Sequence, residues 1–179
     1  MKITVITGSP HRNGTSALLA DEFIRGASEG GHDIFRFDAA FSNVHPCRAC
    51  EACAMGRQKC VFRDDMDVLE PHLRADDVIA FVTPLYYYGM SAQIKTVIDR
   101  FHGSGMNLEK RPKKAVFMAT AYNPASWAMD DIVGHYRTII RYLGWEDAGT
   151  VLAVGCGVRA DIERTDFPKK AYVLGKSFS

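Results

Sequence analysis

Short apolar runs that stop in turn residues and give way to helical stripes most limit how this chain can fold. Ile3-Thr4-Val5-Ile6 passes into Gly8-Ser9-Pro10, and such a run predicts a strand buried on both faces, as in a parallel sheet. Leu18, Leu19, Phe23 and Ala27 then recur at helical spacing, and Gly30-Gly31 predicts the end of that helix. Asp33 to Phe37 predicts a second strand. Asp64-Asp65 predicts the start of a helix with Met66, Leu69 and Leu73 inside, which Pro71 should bend or shorten. Val78 to Thr83 predicts a third strand, and Ser91 opens a helix carrying Ile94, Val97, Ile98 and Phe101. Ala115 to Ala119 predicts a fourth strand. The stripe Met129, Ile132, Val133, Tyr136, Ile140 and Leu143 stops at Gly144, and Thr150 to Val154 predicts a fifth strand before a last helix over about residues 166–176. Five strands alternating with helices predict one α/β domain over residues 1–179, with a doubly wound parallel sheet. Ligands of such sheets lie beyond the strands' carboxyl ends, where the strand order reverses, so the loops after the first, third and fourth strands are the candidate site.

Composition removes several other classes. Lys and Arg number 22 against 21 Asp and Glu, a net charge of +1 without a long basic run, so no nucleic-acid or anionic-membrane partner is expected. Ile3 to Ile6 is too short for a signal peptide, and no run approaches the roughly 18 apolar residues of a membrane span. A cytoplasmic protein is the expectation. Five cysteines, an odd count, do not suit a secreted disulfide framework.

The first loop is Thr7-Gly8-Ser9-Pro10-His11-Arg12-Asn13-Gly14-Thr15-Ser16. A strand-to-helix loop of this kind can wrap backbone N–H groups around an anion at the positive end of the helix. Ser9, Asn13, Thr15 and Ser16 supply short donors, Gly14 permits close approach, Arg12 can stand at the rim, and His11 lies beside the anion. The loop ends in neither Gly-Lys-Ser/Thr nor Gly-x-Gly-x-x-Gly, and amides with hydroxyls suit a terminal monophosphate better than a triphosphate with magnesium. A polar turn that merely caps the helix is the other reading of the same residues.

The third strand runs into Pro84-Leu85-Tyr86-Tyr87-Tyr88-Gly89. Neighbouring tyrosines offer flat apolar faces with polar tips for a half-exposed ring, and Gly89 leaves room for a ligand. Core or dimer packing is the alternative. After the fourth strand comes Thr120-Ala121-Tyr122-Asn123-Pro124, which reads equally as a surface turn.

Cys47-x-x-Cys50-x-x-Cys53, followed by Cys60, makes a cysteine-rich loop at about residues 44–63. Zinc ribbons usually place two pairs far apart, so this spacing fits a compact iron–sulfur centre better. Zinc and plain thiols that shape the loop stay open, and Cys156 between two glycines reads as structural.

Gly8-Ser9-Pro10-x-x-Asn13-Gly14-Thr15-Ser16, Thr83-Pro84-Leu85-Tyr86 with Met90 to Lys95 and Asp99-Arg100-Phe101, and the cysteine stretch resemble the NAD(P)H-dependent FMN reductase and iron–sulfur flavoprotein group. That resemblance implies a flavodoxin-like three-layer sandwich with a five-stranded parallel sheet. It implies FMN with its phosphate on Ser9, His11, Arg12, Asn13, Gly14, Thr15 and Ser16. Pro84, Leu85, Tyr86 and Tyr87 then border the ring with Tyr88 and Gly89 in the same segment, and Thr120, Tyr122 and Asn123 close over the ring or ribityl side. In iron–sulfur flavoproteins all four cysteines hold one [4Fe–4S] centre, whereas related reductases keep similar cysteines without one. The implied activity passes electrons from NAD(P)H through FMN to a quinone, nitro compound or flavin, or to a protein partner, in a homodimer or homotetramer. An electron carrier without a nicotinamide site is the alternative, and a redox-sensing module a third. Small carriers of this fold are usually strongly acidic, which this chain is not.

Overall fold

The computed structural model describes residues 1–53, 59–103 and 107–178. Its elements in chain order are β1 (Lys2–Thr7), α1 (Thr15–Glu29), β2 (Asp33–Asp38), α2 (Met66–Ala75), β3 (Val78–Tyr86) and β4 (Gly89–Met90). After these come α3 (Ala92–Asp99), β5 (Lys114–Thr120), α4 (Asp130–Leu143), β6 (Glu146–Ala153), α5 (Arg159–Glu163) and α6 (Phe167–Lys176). The five long strands are parallel in the order β2-β1-β3-β5-β6, and the two-residue β4 pairs antiparallel with the end of β3. The chain leaves β1 toward β2 and then crosses to β3 on its other side. That reversal puts the flavodoxin-like switch point between β1 and β3.

Alternation within each strand divides the core into two layers. Val78, Ala80 and Val82 face one side of the sheet with Ile3, Val5, Phe23 and Ala171. Ile79 and Phe81 face the other side with Ile6, Leu69, Ile94, Phe117 and Tyr136. Helices therefore cover both faces, which is why the strands read as unbroken apolar runs. On the first face α1 and α6 cross at very close range. A Cβ on Gly26 would stand 2.0 Å from the Tyr172 carbonyl oxygen, and one on Gly175 would stand 2.1 Å from that of Phe23.

Several boundaries differ from the sequence expectation. β3 runs three residues past Thr83, through Pro84, which is paired with Thr120 on the β5 side; pairing with β1 has already ended at Val82, so the strand tolerates proline there. The last strand starts at Glu146 rather than Thr150 and ends at Ala153, because polar Glu146 and Asp147 pair with Lys114 and Ala115 across a bulge. An edge strand can carry such residues, and an apolar-run criterion skips them. α2 continues through Pro71 to Ala75. No helix among the described residues is long and apolar enough to cross a membrane.

Candidate functional site

The loop after β1 enters α1 through Gly14 with no side-chain cap and no acidic residue in the first turn. The leading N–H groups of a 15-residue helix are thus left for an anion. Within the loop the His11 N–H donates to Ser9 Oγ at 3.1 Å and the Gly14 N–H to the His11 carbonyl at 3.2 Å. A Cβ on Gly14 would stand 3.0 Å from that of His11. The turn is thus close to its tightest compatible form.

This loop is tied directly to the segment after β3. The Gly8 N–H donates to the Val82 carbonyl at 2.8 Å, and buried Ser91, at the head of α3, donates its hydroxyl to the Gly8 carbonyl at 2.7 Å. The Ser91 N–H in turn donates to Thr83 Oγ1 at 3.1 Å. Thr15 and Thr120 share a hydroxyl hydrogen bond of 2.9 Å, which joins the start of α1 to the end of β5.

The result is one cleft of about 670 Å³, within the range of cofactor pockets. Ser9, His11, Arg12, Asn13, Gly14 and Thr15 line it, together with Pro84, Leu85, Tyr86, Thr120 and Tyr122. Ser16 lies in the first turn of α1 with a buried hydroxyl that has no hydrogen-bond partner, and it does not line the cleft. Tyr87 and Tyr88 form a two-residue hairpin turn at φ 46° and 63°, both in the left-handed region favoured by Gly and Asn. Tyr87 projects fully exposed from its tip, and Tyr88 stacks on Trp127 at 5.4 Å between ring centroids. Gly89 pairs with Tyr86, and Asn123 turns its side-chain oxygen to the Ala125 N–H. None of these four lines the cleft.

A further wall comes from Cys156, Gly157, Val158 and Arg159, after β6. The Cys156 N–H donates to the Ala121 carbonyl at 2.8 Å and the Gly155 N–H to that of Asn123 at 3.2 Å, so this loop is sewn to the one after β5. Gly157 lies against the Tyr122 ring, where a Cβ would come within 2.5 Å. Burial, followed by the nearby Asp161 carboxylate, pushes the Cys156 thiol up.

The cysteine-rich segment stands apart from the cleft. Cys47, Cys50, Cys53 and Cys60 are free thiols around one hollow of about 380 Å³ with Arg48, Phe62, Asp99 and His102. Residues 54–58 of this segment lie outside the described residues. Its base is clamped: Arg100 Nη1 pairs with Asp64 Oδ2 at 2.7 Å, and the His45 N–H reaches the same oxygen at 3.0 Å. Burial works against the Asp64 charge, but Arg100 and the N–H groups of His45 and Met66 outweigh it and hold the carboxyl below its ordinary value. The Ala49 N–H donates to Cys47 Sγ at 3.5 Å. The Ala52 N–H, then Arg48, draw the Cys50 thiol down. Ala49 and Glu51 are both left-handed, at φ 52° and 59°. No group of three or more His, Cys, Asp or Glu among the described residues is placed to hold a metal ion.

The profile of the NADPH-dependent FMN reductases matches residues 1–158. The chain belongs to that family. It is an oxidoreductase family that uses FMN and NAD(P)H. An iron–sulfur flavoprotein of Archaeoglobus fulgidus is 27% identical over all of this chain and 79% of its own length. Another, from Methanosarcina thermophila, is 35% identical over 56% of this chain, and the match spans about half of that protein (52%). Among solved structures, the NAD(P)H:quinone oxidoreductase of Methanothermobacter marburgensis superposes with a TM-score of 0.72 at 20% identity, over 98% of this chain and 96% of its own. That likeness concerns the fold.

FMN suits what the cleft offers an FMN reductase. The uncapped start of α1 with Ser9 and Thr15 lines part of the cleft, while Pro84, Leu85 and Tyr86 supply a flat apolar wall. Sequence reasoning missed the Cys156-Gly157-Val158-Arg159 wall, having read Cys156 as structural. Its signal was present: two glycines and a polar break directly past a strand's carboxyl end, the same grammar as the first loop.

Proposed function

We propose that this protein takes hydride from a nicotinamide coenzyme and delivers the electrons to a small acceptor such as a quinone or nitro compound. FMN supplies the chemistry, accepting hydride and releasing electrons singly or in pairs. The chain's own residues bind and orient. Ser9 to Thr15 hold the phosphate, Pro84 to Tyr86 support the ring on one side, and Tyr122, packed against Gly157, joins the walls after β5 and β6. The observation that supports this reading is the Ser91–Gly8 hydrogen bond, because it ties the β1 loop to the segment after β3, and both line one cleft. The test is anaerobic mixing of FMN-loaded protein with NADPH and with NADH. Rapid bleaching of the flavin band, followed by reoxidation on adding a quinone, is expected. A protein that takes up no FMN, or whose bound flavin stays oxidised with both coenzymes, overturns the assignment.

The cysteine hollow favours a second component. A four-iron centre binds each thiolate to a different iron, so its ligands surround a hollow rather than converge on one point. Four free thiols around a single hollow fit that donor set, the Ala49 N–H already donates to Cys47 Sγ, and the Ala52 N–H with Arg48 draws the Cys50 thiol down. Cys47, Cys50, Cys53 and Cys60 would hold a [4Fe–4S] centre, which supplies one-electron transfer. Iron and sulfide analysis of protein prepared without air tests this: about four of each per chain is expected, and zinc or no metal refutes it.

A further inference from the structure

Charge in the cleft is one-sided. Among the described residues, two arginines and a histidine line it and no Asp or Glu does, although the chain as a whole is balanced at +1. Arg12 belongs to the loop that receives the FMN phosphate. It lies 3.7 Å above the Phe41 ring centroid, and no hydrogen bond or ion pair engages it among the described residues. Arg159 comes from a different wall. Only its Nε is engaged, with Glu163 at 2.8 Å, which leaves its two terminal nitrogens without partners among the described residues. The turn that carries it is fixed from below, because Asp161 Oδ2 accepts the N–H groups of Gly157 at 3.0 Å and Val158 at 2.9 Å. Those amides are therefore spent, and the guanidinium is what this wall offers a ligand.

A single FMN phosphate, taken by the β1 loop, leaves this second cation unused. Resting on the FMN reductase reading above, we propose that Arg159 is the positioning residue for the phosphate groups of the nicotinamide coenzyme. The coenzyme that must stack its nicotinamide on the flavin also brings a pyrophosphate and, in NADPH, a 2′-phosphate. A planar fork that lines the same cleft can take such oxygens in pairs. The surface pair with Glu163 is an exposed i,i+4 contact of small strength, so an incoming phosphate can displace it.

The test compares FMN-loaded parent, Arg159→Ala, Arg159→Lys and, as a charge control, Arg164→Ala, whose residue does not line the cleft. KM for NADPH and the Kd of NADP⁺ by calorimetry are expected to rise about tenfold in Arg159→Ala. Arg159→Lys should recover part of this, and Arg164→Ala should match the parent. The change belongs in KM, with kcat moving less than about twofold, and FMN affinity from flavin fluorescence should stay at the parent value. Repeating the series with NADH separates the phosphates: loss with both coenzymes marks the pyrophosphate, loss with NADPH alone the 2′-phosphate, and either supports the assignment. Unchanged coenzyme binding in Arg159→Ala, an equal loss in Arg164→Ala, or a parallel loss of FMN affinity overturns it. A parent that binds no FMN sinks the functional reading as well, whereas a parent reduced by NADPH with an indifferent Arg159→Ala sinks this inference alone.

Discussion

Gly8→Ala tests the joint on which the cleft depends. The added Cβ would stand 2.4 Å from Ser91 Oγ, 2.9 Å from Ile94 Cβ and 3.1 Å from Ile94 Cγ2. Neither neighbour can withdraw easily. Ile94 is fully buried, and the Ser91 hydroxyl is bound to the carbonyl of Gly8 itself while its N–H is bound to Thr83. Overpacking a buried site costs about 1–3 kcal/mol, and weakening a buried hydrogen bond adds about 1 kcal/mol. The expected destabilisation is therefore about 2–4 kcal/mol. For a chain of this length that lowers Tm by roughly 4–16 °C.

The strain should also reach function, because the same displacement moves the β1 loop relative to the aromatic segment. About 1.4 kcal/mol of it, carried into the bound geometry, raises the Kd for FMN tenfold. Thermal melts with and without FMN and a fluorescence titration read both quantities. Ser91→Ala added to Gly8→Ala removes the shortest contact, so the double variant should be less destabilised than the sum of the singles by about 0.5–3 kcal/mol. A Gly8→Ala protein that melts with the parent and binds FMN equally would show that the loops are not coupled through this contact, and the reasoning fails.

Asp64→Asn leaves Arg100 buried without its counter-charge and should cost about 3–5 kcal/mol in urea melts. The Asp64 carboxyl is held below its ordinary value of 3.8. Its contribution is therefore complete above that pH and lost as pH falls through the lower folded value, so the variant should lose less stability than the parent on acidification below about pH 4; identical acid profiles would refute the pairing. Tyr87→Asn places a residue that tolerates the left-handed region at φ 46°. A gain of about 0.5–1 kcal/mol is expected, with no change in FMN affinity because Tyr87 does not line the cleft; a loss of affinity would return Tyr87 to the ring site.

The fold was legible because its strands are buried on both faces. Ile3 to Ile6, Val78 to Thr83 and Ala115 to Ala119 could hardly be read otherwise. Amphipathic α4 was equally plain from Met129 to Leu143, with its end set by Gly144 at φ 68°. Legibility failed where burial is one-sided or backbone geometry decides. Glu146 and Asp147 join β6 by pairing at an edge, and five-residue α5 presents too little apolar surface for a periodic signal.

The site divides along the same line. Ser16 turned inward, but residues that line the cleft were readable where chemistry and position in the chain point together, namely Ser9, Asn13 and Thr15 of the β1 loop and the flat segment from Pro84 to Tyr86. What three adjacent tyrosines do was not, because it depends on two left-handed residues that no propensity favours. The turn at Tyr87-Tyr88 sends one ring to solvent and the next onto Trp127, and leaves only Tyr86 at the cleft. Nor does sequence order reveal that the loop after β6 meets the loop after β5 through the Cys156–Ala121 and Gly155–Asn123 hydrogen bonds. That contact brings Arg159 to the cleft wall, so the cation of that wall was hidden by long-range pairing rather than by an uninformative residue type.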